Sequence, residues 1–309
     1  MTQRILLITL ITAMSWSAPV AAKLLHQERS LYANIVVDQQ GDLRCLKFTH
    51  KRRNSNQSCL DVSDPDRLVF AYAKMTLMSM LLAPSPERVL IIGLGGGTLP
   101  MALRAMDPGV IIDTIEIDPA VVRVAATYFG FQPDDGSRVI EQDARVFGKR
   151  AKLRGSEYDL IILDAFNGDY IPEHLMTAEF LQEMRALLAP DGMLIANTFA
   201  TSALYHHESA TYAEVFGDFL NFRARETGNR IVIIPQADRP ASERESVDFD
   251  IVEVRAEAQR KHLERFNIPV DRFLRMLSQL PGRKPDWDAD KRPLTDQYAP
   301  ANLLRGKED

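Results

Sequence analysis

Only two of the 309 residues are cysteine and only two are tryptophan. Cys45 and Cys59 alone are too few ligands for a zinc site. Trp16 falls in the N-terminal leader and Trp287 in the tail, so neither suggests a cofactor platform. Basic residues are in deficit, giving a net charge of −5, whereas a nucleic-acid binder would show a basic face. The mild negative charge is compatible with cationic substrates. The short basic clusters at 51–53 and 149–154 read as solvated loops. Beyond residue 22 no apolar run approaches the roughly 20 residues a spanning helix needs. Ser202 lacks a G-x-S-x-G setting, and no internal repeat is visible. His206-His207-Glu208 has no third ligand at metal spacing and is expected to face solvent.

What the chain does have begins with a leader. Residues 1–4 form a short basic n-region, 5–14 an apolar segment, and 17–22 a stretch of small residues with Val20 and Ala22 at the two recognition positions. Residues 1–22 therefore read as a signal peptide, with export to the periplasm expected. An uncleaved leader tethering the chain to the membrane is the alternative, and a cytoplasmic location fits less well. In an oxidising compartment Cys45 and Cys59 could pair and contribute about 3 kcal/mol by closing a short loop; unpaired thiols on neighbouring strands are the other reading.

The most informative segment is Val89-Leu-Ile-Ile-Gly-Leu-Gly-Gly-Gly-Thr98, followed by the helix-forming Met101-Ala-Leu-Arg-Ala-Met106 and then by Ile115-Glu-Ile-Asp118. Gly93, Gly95 and Gly97 let backbone approach a ligand closely, and a helix N-terminus after them presents N–H groups to it. Glu116, at the tip of the next strand, is placed to accept from a ribose diol. The dinucleotide fingerprint wants glycine where this chain has Thr98, which argues against a dehydrogenase. G-x-G-x-G reads better as an S-adenosylmethionine loop of a class I methyltransferase-like fold.

The rest of the chain organises around that unit. Residues 24–65 form a small β-rich domain, with strands over 31–37 and 43–48 joined at Gln39-Gln-Gly-Asp42. A helix is expected over 66–83. Strands and helices then alternate from 88 to about 199, which predicts an α/β fold with a parallel, Rossmann-like sheet in a domain spanning 66–240. Strands near 219–224 and 229–235 can form a hairpin. Residues 241–309 read as a helical extension, helical to about 280, and an extended tail on the surface. The strand ends gather four carboxylates, Glu116, Asp118, Asp143 and Asp164, where an open α/β sheet binds its ligand. Any one could instead cap a helix.

Arg88-Val-Leu-Ile-Ile-Gly, Ile115-Glu-Ile-Asp118, Asp143-Ala144 and Tyr158-Asp-Leu-Ile-Ile-Leu-Asp-Ala165 resemble the polyamine aminopropyltransferases, the spermidine synthases. A spermidine-synthase-like branch, found alone or fused to membrane transporters, also shares Asp164-Ala-Phe-Asn-Gly-Asp-Tyr-Ile-Pro172 and the tail Leu294-Thr-Asp-Gln-Tyr-Ala-Pro300. The resemblance implies transfer of an aminopropyl group from decarboxylated S-adenosylmethionine to an amine such as putrescine, without a metal. It implies Asp164 as proton acceptor and the glycine loop with Glu116 at the nucleoside. Asp143 and Ala144 would hold the adenine edge and Pro172 its side. Tyr72, Asn167 and Asp169 would meet the amine. It also implies a homodimer through the N-terminal β region.

The chain departs from that pattern mainly where an amine would bind. Gly96 stands at an aspartate position, Ala33 at a glutamine, Lys74 at a glutamate, and Asn167 at the second aspartate of a D-x-x-D motif, where Asp169 could substitute. A T-Y-P-S-G segment is missing, with only Ile234-Pro-Gln-Ala237 nearby. A buried ammonium without partners is costly. Two further readings therefore stand beside the first: a transferase using intact S-adenosylmethionine on another acceptor, for which Gly96 leaves room, and a non-catalytic exported binding protein.

Overall fold

The computed structural model describes residues 22–48, 56–166, 170–200, 203–224, 228–300 and 304. Residues 1–21 of the leader, the basic cluster 51–53, Ser202, and Asn167 and Asp169 lie outside them. Among the described residues no helix is long and apolar enough to cross a membrane.

The first sheet is an antiparallel meander of β1 (Lys23–Arg29), β2 (Asn34–Gln40), β3 (Leu43–Lys47) and β4 (Asn56–Asp61). The strand expected to start at Leu31 begins instead at Asn34. The Ser30 hydroxyl accepts from Tyr32 N and Ala33 N, both at 3.0 Å, and turns the chain there. Cys45 and Cys59 are directly opposed on β3 and β4 and form a disulfide. Ile35, Val37, Leu46 and Phe48 pack this sheet onto α3 (Pro119–Tyr128) through Val121, Val124 and Phe129.

The second sheet has seven strands. Its parallel part comprises β5 (Arg88–Ile92), β6 (Ile111–Glu116), β7 (Ser137–Glu141), β8 (Tyr158–Leu163) and β9 (Leu188–Phe199). The hairpin of β10 (Leu220–Arg223) and β11 (Asn229–Ile234) adds antiparallel to β9, giving the order β10-β11-β9-β8-β5-β6-β7. Alternation along each strand sorts side chains to two faces. Val89, Ile91, Leu160, Ile162 and Ile195 enter one core with α1 (Ala71–Met80), α2 (Thr98–Met106), α7 (Phe249–Arg265) and α8 (Val270–Ser278). Leu90, Ile92, Ile161, Leu163 and Leu194 enter the other with α4 (Ala144–Leu153), α5 (Ala178–Arg185) and α6 (Ala203–Phe216). The helix expected over 66–83 is thus α1, ten residues long. The C-terminal extension breaks into two helices at Asn267, whose φ of 57° is the left-handed conformation that ends helices, with Pro269 just beyond.

The tail is not confined to the surface. Leu294 is fully buried, and Asp296 is gripped by Arg145 through two hydrogen bonds of 2.6 and 2.7 Å and by Thr177 at 2.9 Å.

Candidate active site

Chain connectivity runs outward in both directions from β5, to β6 and β7 on one side and to β8 and β9 on the other. A crevice must open at such a reversal, beyond the strand ends. A cavity of about 1120 Å³ lies there, room for an adenosyl donor with a short acceptor. The sheet ends form its floor, and Asn56, Gln57 and Ser58 of β4 help line it, as does Tyr32.

The glycine loop enters the cavity directly after β5. Gly93, with φ of 103°, hands its N–H to Ile115 O at 2.8 Å. A Cβ there would collide with the Asp164 carbonyl, so only glycine lets the β5 and β8 ends close together. Gly93 and Gly95 line the cavity. Gly97 is not among the lining residues; it is the left-handed residue before α2, where a Cβ would meet Phe131 at 2.6 Å. Gly96 is not open either. A Cβ at that position would stand 2.6 Å from Ser58 Oγ and 3.0 Å from the Phe129 ring, so a side chain there, such as the aspartate of the resembled pattern, would have to displace β4 or the residue that ends α3.

The four carboxylates divide by function. Asp118 caps α3, accepting from Ala120 N at 3.0 Å, and its other oxygen accepts from the Ser30 hydroxyl. Asp143 caps α4, accepting from Arg145 N and Val146 N at 3.0 and 2.9 Å, and its second oxygen lies 3.0 Å from His174 Nε2. Glu116 caps no helix; it accepts from Leu94 N at 3.1 Å and Asp118 N at 2.9 Å, fixing the glycine loop to the tip of β6. Burial raises its pKa, against the pull of those N–H donors. Each oxygen keeps a lone pair for a hydroxyl.

Asp164 follows β8, its N–H bound to Ile92 O at 2.8 Å. Its Oδ1 accepts from Asn197 Nδ2 at 2.8 Å, and Tyr72 donates a further hydrogen bond. Burial pushes its pKa up to about 7, while the Asn197 and Tyr72 hydrogen bonds restrain the rise. Burial, and then the neighbouring Asp164 charge, drives the Tyr72 phenol well above its usual range, so it remains a donor. The carboxyl is therefore poised to exchange a proton near neutrality.

The structure brings Tyr72, Gly93, Gly95, Glu116, Asp143, Ala144, Asp164 and Pro172 to one cavity. Lys74 is not among the lining residues. Ile234 ends β11 away from the cavity, whereas Asn229, at the start of the same strand, lines it. Sequence reasoning missed Asn197 and Asn229 as site residues. The signal available was their position, two amides at adjacent ends of antiparallel strands. The expectation for His206-His207-Glu208 was wrong in part: His207 and Glu208 are buried, His207 against Arg292 O at 2.6 Å and Glu208 facing Arg230. Among the described residues no group of three or more His, Cys, Asp or Glu could hold a metal.

A doubly wound sheet with a glycine loop, an acid at the tip of the next strand and an aspartate at the switch point defines an α/β protein with a Rossmann-like sheet and a cavity at its strand ends. Residues 69–239 match the spermine/spermidine synthase domain. The chain is 47% identical over 285 residues to a polyamine aminopropyltransferase of Vibrio vulnificus (strain CMCP6), covering 91% of each. It therefore belongs to the spermine/spermidine synthase family. A probable spermidine synthase from Corynebacterium glutamicum ATCC 13032 shares the fold at a TM-score of 0.60 and 19% identity, over 87% of this chain and 99% of that one. A spermidine synthase in complex with the transition-state analogue AdoDATO does so at 0.55 and 18%, over 78% and 88%.

Proposed function

We propose that the protein transfers an aminopropyl group from decarboxylated S-adenosylmethionine to a small amine such as putrescine. Transferase activity is supported by the 47% identity to an aminopropyltransferase across nearly the whole chain. The observation that carries the residue roles is the pairing of Asp164 with Tyr72 and Asn197 at the centre of the cavity.

In this reading the donor lies along the glycine loop with its ribose on Glu116 and its adenine between Asp143 with Ala144 and Pro172. The acceptor nitrogen attacks the propyl carbon bound to the sulfonium. The new N–C bond forms as the C–S bond breaks, its electron pair passing to sulfur, and methylthioadenosine leaves. The nitrogen must be uncharged to attack, and Asp164 takes the proton it sheds. Tyr72 and Asn197 hold the carboxylate in line, and the cavity aligns the two reactants. Asn167 and Asp169 would complete the amine end.

The experiment is calorimetric titration with methylthioadenosine, S-adenosylmethionine and its decarboxylated form, followed by product analysis with putrescine. Tighter binding of the decarboxylated donor and formation of the extended amine support the proposal. Preference for the intact donor would replace it with transfer to another acceptor, and silence with all three would leave a binding protein. We also propose export through the leader and pairing of two copies through the N-terminal sheet. The disulfide and the exposed Leu24 and Leu31 at that sheet favour these readings.

A further inference from the structure

We infer that Asn229 is a positioning residue: it turns the Asn197 amide so that an N–H group, and not a carbonyl, meets Asp164. Asn197 sits between two partners. Its Nδ2 donates to Asp164 Oδ1 at 2.8 Å, and its Oδ1 accepts from Asn229 Nδ2 at 2.9 Å. An amide rotated by half a turn occupies almost the same space, so shape alone does not choose between its two orientations. The neighbours choose. With Asn229 donating, rotation of Asn197 would bring two NH2 groups together and set its carbonyl against the Asp164 oxygen. In the observed orientation the ionised form of Asp164 is the one satisfied; in the rotated one only a protonated carboxyl could bond to Asn197.

The backbone that carries Asn229 is held from the opposite face of the sheet. Arg230, the next residue, is fully buried and pairs in register with Thr198, the residue after Asn197. Its Nε donates to Thr198 Oγ1 and its Nη1 to Ser209 Oγ, both at 2.7 Å, and its guanidinium lies 4.2 Å from the centre of the Tyr205 ring. Three side-chain contacts behind the sheet thus hold the backbone where two amides meet in front of it.

Other charged or titratable groups surround Asp164. Tyr72 faces it from α1, Glu116 and Asp143 flank the donor side of the cavity, Tyr170 lines the wall, and Glu208 with Arg230 lies behind β9. Asn229→Ala adds and removes no charge among them, so the Asp164 midpoint is read against an unchanged set of charged groups.

The consequence for catalysis rests on Asp164 being the proton acceptor, but the geometry can be tested without turnover. In the full chain, the Asp164 carboxyl is followed by carbon-13 NMR across pH, its resonance identified by loss in Asp164→Asn. In Asn229→Ala the midpoint should rise by about one unit as Asn197 becomes free to rotate. Asn229→Ser, which retains a donor, should return it toward the wild-type value, and the acidic limb of kcat/KM should follow with the donor KM unchanged. If Asn229→Ala does not fold, Asn229→Leu serves, since it is close to asparagine in size, carries no donor and adds no charge, and it should likewise raise the midpoint. An unmoved midpoint in the folded variants overturns the inference. Retained transfer in Asp164→Asn would overturn the catalytic reading instead, leaving the titration to decide the amide's role.

Discussion

Asp143 and His174 face one another among the residues lining the cavity, Oδ2 to Nε2 at 3.0 Å. The same aspartate caps α4 with its other oxygen, so the exposed histidine is coupled to the position of that helix. His174→Ala should weaken methylthioadenosine binding by about threefold and leave kcat near wild type, because an exposed pair of this kind is worth no more than roughly 1 kcal/mol. Parallel calorimetry and steady-state kinetics check this; a large fall in kcat at unchanged affinity would contradict it.

Asp164→Asn should lower transfer by at least about a hundredfold, the usual contribution of a positioned proton acceptor, with nucleoside binding nearly intact. In the wild type, activity should fall as pH drops below about 7, because the carboxyl pushed up to about 7 is then protonated and cannot take a proton. The pH profile of kcat/KM measures this limb.

Stability should run the other way. Burial raises both Asp164 and Glu208 to about 7. A carboxyl raised on folding contributes stability that is whole below the ordinary carboxylate range and lost as pH climbs through the folded value. Thermal melts from pH 5 to 8 should show that decline, and Glu208→Gln should flatten it. A melting temperature that rises over this interval in the wild type would refute the assignment.

Gly93→Ala should cost about 1–3 kcal/mol in backbone strain and abolish donor binding, since the new methyl group runs into the Asp164 carbonyl. Gly130, also at positive φ but with nothing near its would-be Cβ, is the control: its alanine variant should keep the donor site. Melting curves with and without methylthioadenosine separate the two effects.

Much of this was legible in the sequence because it is local. The glycine loop, the acid about one strand later and the carboxylates at strand tips follow from short-range patterning, and each falls where the alternation of strands and helices puts it. Asn197 and Asn229 were not legible, because their contact depends on the antiparallel register between β9 and β11. Leu31 to Ala33 read as strand from their apolar character, yet the Ser30 hydroxyl bends them into a turn. His207 and Glu208 read as exposed because nothing in their own helix reveals that the C-terminal tail will meet the one and Arg230 of β11 the other. Asn167 and Asp169 were named from a motif alone.

Ser58 adjoins the Cys45–Cys59 bond, reaches across to Thr98 at 3.2 Å, and occupies the space a side chain at Gly96 would need. The glycine loop is therefore no portable cassette. Grafting into this chain a loop with aspartate at that position would require remodelling β4 as well, so donor-loop chemistry and the N-terminal meander must change together or not at all.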